Sequence, residues 1–120
     1  MDEARAHYDA ALAIVREVGD RRTEGTFLGK LGALELRLGR CEEAQAAFAR
    51  GELLLREVGE RLELGKLLCR RGDLERTGGD LAAARSCLAE VEALAAAIHA
   101  GPDSELGREL AKLRQALTEP

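Results

Sequence analysis

REVGDRRTEG, residues 16–25, returns forty residues later as REVGERLELG, residues 56–65, with six of ten positions identical. Sliding 11–50 along 51–90 extends the match to thirteen identities, among them Gly19/Gly59, Gly25/Gly65, Gly32/Gly72, Leu34/Leu74, Gly39/Gly79 and Ala44/Ala84. A repeat of this length is one supersecondary unit that buries its apolar face by stacking on its neighbours.

Each unit reads as two helices. Phe27, Leu28, Leu31, Leu34 and Leu38 recur at spacings of three and four, the stripe of an amphipathic helix. Gly39 then ends that helix, because glycine readily takes the left-handed conformation after a last turn. Ala44, Ala47, Phe48, Gly51, Leu54, Leu55 and Val58 form a second stripe, stopped by Gly59. The next unit carries Leu64, Leu67, Leu68 and Leu74, then Gly78-Gly79 and Asp80 as an N-cap. The segment from Ala4 to Val18 matches the second helix of a unit, so the chain opens on a half-unit. Ser104 to Leu117 resembles a first helix displaced by two residues. Six helices are expected, near 2–18, 22–38, 41–58, 61–77, 81–99 and 103–117. They make a half-repeat, repeats at 22–58 and 61–99, and a terminal helix. All of it is read as one domain, a fragment or terminal part of a longer protein.

Composition agrees with an all-α chain. Ala, Leu, Glu and Arg are good helix formers, and Pro102 and Pro120 are the only prolines. A net charge of −4 excludes a general nucleic-acid binder, which is usually basic over its whole domain. No run of about 18 apolar residues exists for a membrane span. MDEARAHYDA, the first ten residues, is acidic and unlike a signal peptide. Cys41, Cys69 and Cys87 are odd in number and lack metal-ligand spacing, which suits a reducing cytoplasm.

Leu31-Gly32 in a first helix, followed by Ala44, Phe48 and the small Gly51 in a second, resembles the tetratricopeptide repeat. Gly72, Ala84 and Leu88 repeat the pattern in the next unit, and Ala4, Tyr8 and Ala11 carry it in the leading half. The resemblance implies a right-handed superhelix of antiparallel helix pairs, with the first helices lining a concave groove. It also implies protein–protein interaction without catalysis. The unit is 40 residues rather than the family's 34, Glu35 and Glu75 replace its usual aromatic, and no proline closes a unit. In style the REVGDR segment is similar to the tandem repeats of large bacterial signalling regulators. Gly32, Gly72, Ala44 and Ala84 then stand where helices cross closely, and Gly19 and Gly59 where they end.

On that pattern the groove is lined by Lys30 and Arg37, by Lys66, Cys69, Arg70, Asp73 and Arg76, and by Arg108 and Lys112. Seven of these nine are basic and one is acidic. That charge suits an acidic peptide or a C-terminal carboxylate held by charge-assisted hydrogen bonds. A self-associating module, in which exposed terminal helices pair two copies, is the alternative. A ligand-sensing domain of a signalling protein is a third reading.

Chemistry finds no footing. His7 takes the packing position of Ala47 and Cys87, and His99 lies at a helix end. Neither has a second ligand at i+3 or i+4, so no metal and no cofactor are expected. The glycines of GTFLGKLG lie inside a helix and follow no strand, unlike a phosphate-cradling loop. Glu35 and the Arg71/Glu75 pair read as ion pairs between repeats.

Overall fold

The computed structural model describes residues 2–119, and at Asp2 the backbone alone. Six helices follow in order: α1 (Asp2–Val18), α2 (Arg21–Arg37), α3 (Cys41–Val58), α4 (Arg61–Thr77), α5 (Leu81–Ala97) and α6 (Glu105–Thr118). Among the described residues there is no strand. The chain forms two compact units, Met1–Glu60 and Arg61–Pro120, divided within the second copy of the opening stretch.

The helices are set by one turn used repeatedly. Gly19, Gly39, Gly59 and Gly79 have positive φ of 75°, 76°, 71° and 89°, at intervals of twenty residues. After each, the next amide donates back to the carbonyl five residues earlier: Asp20 to Val15 (2.9 Å), Arg40 to Glu35 (2.8 Å), Glu60 to Leu55 (3.0 Å) and Asp80 to Glu75 (2.9 Å). This bond satisfies a carbonyl that the helix end would otherwise leave unpaired. The residue after the glycine can then cap the following helix. Asp20 accepts from the Thr23 amide (3.1 Å) and hydroxyl (2.6 Å), and Asp80 from the Ala83 amide (3.0 Å). The Thr23 hydroxyl bond, then its amide bond, hold the Asp20 carboxyl below its ordinary range.

Small residues decide how closely each pair packs. A Cβ on Gly32 of α2 would stand 2.5 Å from the Phe48 ring of α3. One on Gly25 would meet Leu55 at 2.8 Å. Leu12, Leu28, Ala47 and Leu54 form one buried cluster of the first unit, with Val15, Phe27 and Leu31 against it. Tyr8 of α1 meets Phe27 of α2 edge to face, 6.4 Å between centroids. In the second unit a Cβ on Gly72 would meet Leu113 of α6 at 2.9 Å and Cys87 of α5 at 3.4 Å. Ala44 and Ala84 are wholly buried, and Leu88 half-buried.

Glu35 is buried at 1% exposure on α2. Its Oε1 lies 3.1 Å from Arg5 Nε of α1, and its Oε2 3.9 Å from Arg40. The Arg5 contact is a close pairing of charges rather than an aligned hydrogen bond. An ion pair thus joins neighbouring helices where the family's aromatic would pack. Its repeat mate Glu75 pairs instead within α4, with Arg71 at 3.8 Å.

Three boundaries differ from the sequence reading. α2 spans 21–37 rather than 22–38, because Leu38 takes the C-cap position. α6 spans 105–118 rather than 103–117, because Ser104 takes the N-cap position, its Oγ accepting from the Gly107 amide at 3.0 Å. α5 stops at Ala97 rather than 99, because His99 takes φ 56° and the Ala100 amide donates to the Ala95 carbonyl (2.9 Å). His99 is therefore the fifth member of the twenty-residue series, with a side chain where the others are glycine. A β-carbon in this conformation costs roughly 1 kcal/mol. His99→Gly is expected to raise the unfolding free energy by about that amount in urea titration, and an unchanged or lower value would contradict the strained turn.

Candidate functional site

The residues expected to line a binding face divide sharply by burial. On α2, Lys30 and Arg37 are exposed, with the half-buried Thr26 and Ala33 on the same side. No described ion pair engages either cation. The other α2 arginines are spoken for: Arg21 reaches Glu57 at 2.8 Å and Arg22 reaches Glu60 at 3.3 Å.

The second unit departs from expectation. Lys66 and Cys69 are buried rather than open. Lys66 Nζ lies 2.6 Å from Glu105 of α6 and 3.3 Å from Glu63. Burial by itself lowers the pKa of an ammonium group. The Glu105 bond and the charge of Glu63 more than offset it, leaving Lys66 above the ordinary lysine value. The same bond holds the Glu105 carboxyl below its ordinary range. Burial, then the nearby Glu109 charge, push the Cys69 thiol up to about 12, so it stays protonated at neutral pH and is a poor nucleophile.

Most other cations of this unit also have partners. Arg76 Nη2 and Asp73 Oδ1 are 2.7 Å apart, and Lys112 lies 3.6 Å from Glu109. Arg108 donates to the Asp103 carbonyl at 2.7 Å, and Arg70 is half-buried. The excess of seven bases over one acid is thus reduced by Glu63 and Glu105 at Lys66 and by Glu109 at Lys112. Glu63 and Glu109 stand three residues before Lys66 and Lys112, a spacing visible in the sequence. Glu105 facing Lys66 from another helix was not.

A second acid of α2 is buried. Glu24 opens α2 at 5% exposure and accepts from Arg16 Nε of α1 at 2.9 Å, with Arg50 of α3 at 3.9 Å. Its repeat mate is Leu64, so the repeat gave no warning of the charge.

Residues 1–57 match the tetratricopeptide repeat family. Over those residues the chain is a tetratricopeptide repeat. Neither the curated proteins nor the solved structures yield a match to the chain. Tetratricopeptide repeats are as a rule non-catalytic scaffolds for protein–protein interaction, and the six-helix architecture agrees with that family. The match covers the helices that carry Lys30, Arg37 and the Gly32–Phe48 crossing. Among the described residues no group of His, Cys, Asp and Glu could hold a metal ion, and no helix is long and apolar enough to cross a membrane.

The Lys66–Glu105 clasp has a defined pH window. A depressed carboxylate contributes stability above its ordinary value of 4.5, lost as pH falls through the folded value. A raised ammonium contributes below 10.5, lost as pH rises through the folded value. Because Glu105 is largely exposed, Glu105→Gln is expected to cost only about 0.5–1 kcal/mol at neutral pH. The difference from the parent should fade below the folded Glu105 value and again in strong alkali. A constant difference across that range in urea titrations would contradict the clasp.

Proposed function

We propose that this protein is a non-catalytic adaptor that takes an acidic peptide segment along the exposed side of α2. Lys30 and Arg37 are its charge contacts. The supporting observation is their freedom from the described ion pairs, on a helix whose other arginines are engaged. Seven residues apart, they stand about 10 Å from one another along the helix, the span of three or four residues of an extended peptide. Ala33 between them leaves room for a peptide backbone. In the second unit Lys66, Arg76 and Lys112 are paired with acids, which puts the weight of the proposal on α2.

The same proposal includes a cytoplasmic setting, supported by an odd number of cysteines without disulfide-framework or metal-ligand spacing. It also includes a place within a bacterial signalling regulator, supported by the style of the repeated turn. A second reading, self-association through terminal helices, has the exposed Ile14 and Val18 of α1 in its favour.

Screening a library of acidic peptides by fluorescence anisotropy tests the adaptor reading. Binding is expected to weaken about tenfold in the Lys30→Glu/Arg37→Glu variant and to fall with added salt. Equal binding by that variant, or affinity indifferent to salt, would remove the α2 face as the site.

A further inference from the structure

Past its first turn, α2 has Lys30 and Arg37 as its only exposed residues. The half-buried Thr26 and Ala33 stand in line with them, so the strip 26–30–33–37 runs along one side of the helix. Phe27 and Leu31 beside it pack against the buried cluster of the first unit. The open strip is therefore about one residue wide. A helix packed along α2 would bring an apolar stripe of about 100° or more, for which this strip has no counterpart. A thin, unpaired chain fits it.

Within a helix the main-chain N–H and C=O groups bond to one another, so α2 offers an incoming chain no edge to pair with. Recognition then falls to side chains and their spacing. Lys30 and Arg37 stand about 10 Å apart along the axis. In a β-strand side chains alternate sides, so two acids on one side lie about 7 or 13 Å apart. In a polyproline II helix every third side chain returns to the same side, about 9 Å further on. That conformation gives the nearer match. It also keeps its backbone solvated and needs no pairing partner.

The repeat supplies the contrast. Forty residues on, the strip reads Lys66, Arg70, Asp73 and Thr77. Thr77 replaces Arg37, and α4 carries its own acid, Asp73, where α2 has Ala33. Asp73 is tied to Arg76 at 2.7 Å and Lys66 to Glu105 at 2.6 Å. In α6, with its two-residue offset, the place of Arg37 falls to Glu119. Two open cations seven residues apart, with a small residue between them, belong to α2.

On the adaptor reading of this face, we infer that α2 takes its acidic segment in the polyproline II conformation. The segment carries two acids three residues apart, one for Lys30 and one for Arg37, and proline suits its other positions.

The test is fluorescence anisotropy on the full chain with synthetic peptides of equal length and charge. Two glutamates are set two, three or four residues apart in a proline–alanine background. A side-chain-crosslinked helical peptide carries them seven apart. The three-residue spacing is expected to bind severalfold more tightly than the others, and to weaken severalfold when glycine replaces its prolines. Ala33→Asp, which copies the acid of α4, is expected to weaken that peptide severalfold with unchanged circular dichroism. If all spacings bind alike and all are lost in Lys30→Glu/Arg37→Glu, the α2 face stands and the polyproline II inference falls. Tighter binding of the helical peptide, or indifference to Ala33→Asp, overturns it in the same way. Binding of no peptide to the parent, or equal binding by Lys30→Glu/Arg37→Glu, removes the adaptor reading and this inference with it.

Discussion

The crossing of α2 and α3 at Gly32 is the contact on which the first unit depends. Phe48 occupies the space a side chain at residue 32 would need, so the two helix backbones approach to a distance only glycine permits. Once that approach is fixed, Gly25 admits Leu55 one turn or two away, and Leu28 and Leu54 close the core between them. The second unit uses the same small position differently. Gly72 receives Leu113 of α6 and lies against Cys87 of α5, so one notch serves two neighbours. Similar sequence therefore gives similar helices, while the partner that fills each notch changes.

Charge does the remaining positioning, and it also selects which surfaces stay available. Glu24 and Glu35 are nearly inaccessible on α2, and between them they draw Arg16, Arg50, Arg5 and Arg40. A buried carboxylate stripped of its cation is costly, whereas the pair as a whole can be close to neutral for stability. The gain lies in which sides of the helices face each other. With Arg21 and Arg22 committed to Glu57 and Glu60, α2 leaves Lys30 and Arg37 as its open cations.

The architecture was legible in the sequence because its signals are local. A glycine after an apolar stripe is read within one helix, and its recurrence at 19, 39, 59 and 79 makes a ruler. The same spacing reaches residue 99, where a histidine in place of glycine takes the left-handed conformation, so the residue type does not announce the turn. The candidate site was legible only in part. Lys30 and Arg37 are exposed on α2. Lys66 and Cys69 are buried, since burial on a first helix depends on which faces of it are covered. Pairs such as Lys66–Glu105 and Arg16–Glu24 join residues on separate helices, and no periodicity in one helix reveals them. Counting bases along a presumed face without their acidic neighbours overstated its charge.

The claim that close backbone crossing governs this fold makes a prediction opposite in sign to ordinary helix propensity. Alanine in place of glycine inside an unobstructed helix stabilises by up to about 1 kcal/mol. Equilibrium unfolding of Gly32→Ala, alone and combined with Phe48→Leu, measures the crossing directly. The account predicts that Gly32→Ala destabilises by about 1–3 kcal/mol and that the smaller side chain at 48 removes much of that penalty. A neutral or stabilising Gly32→Ala, or a penalty indifferent to residue 48, would contradict it.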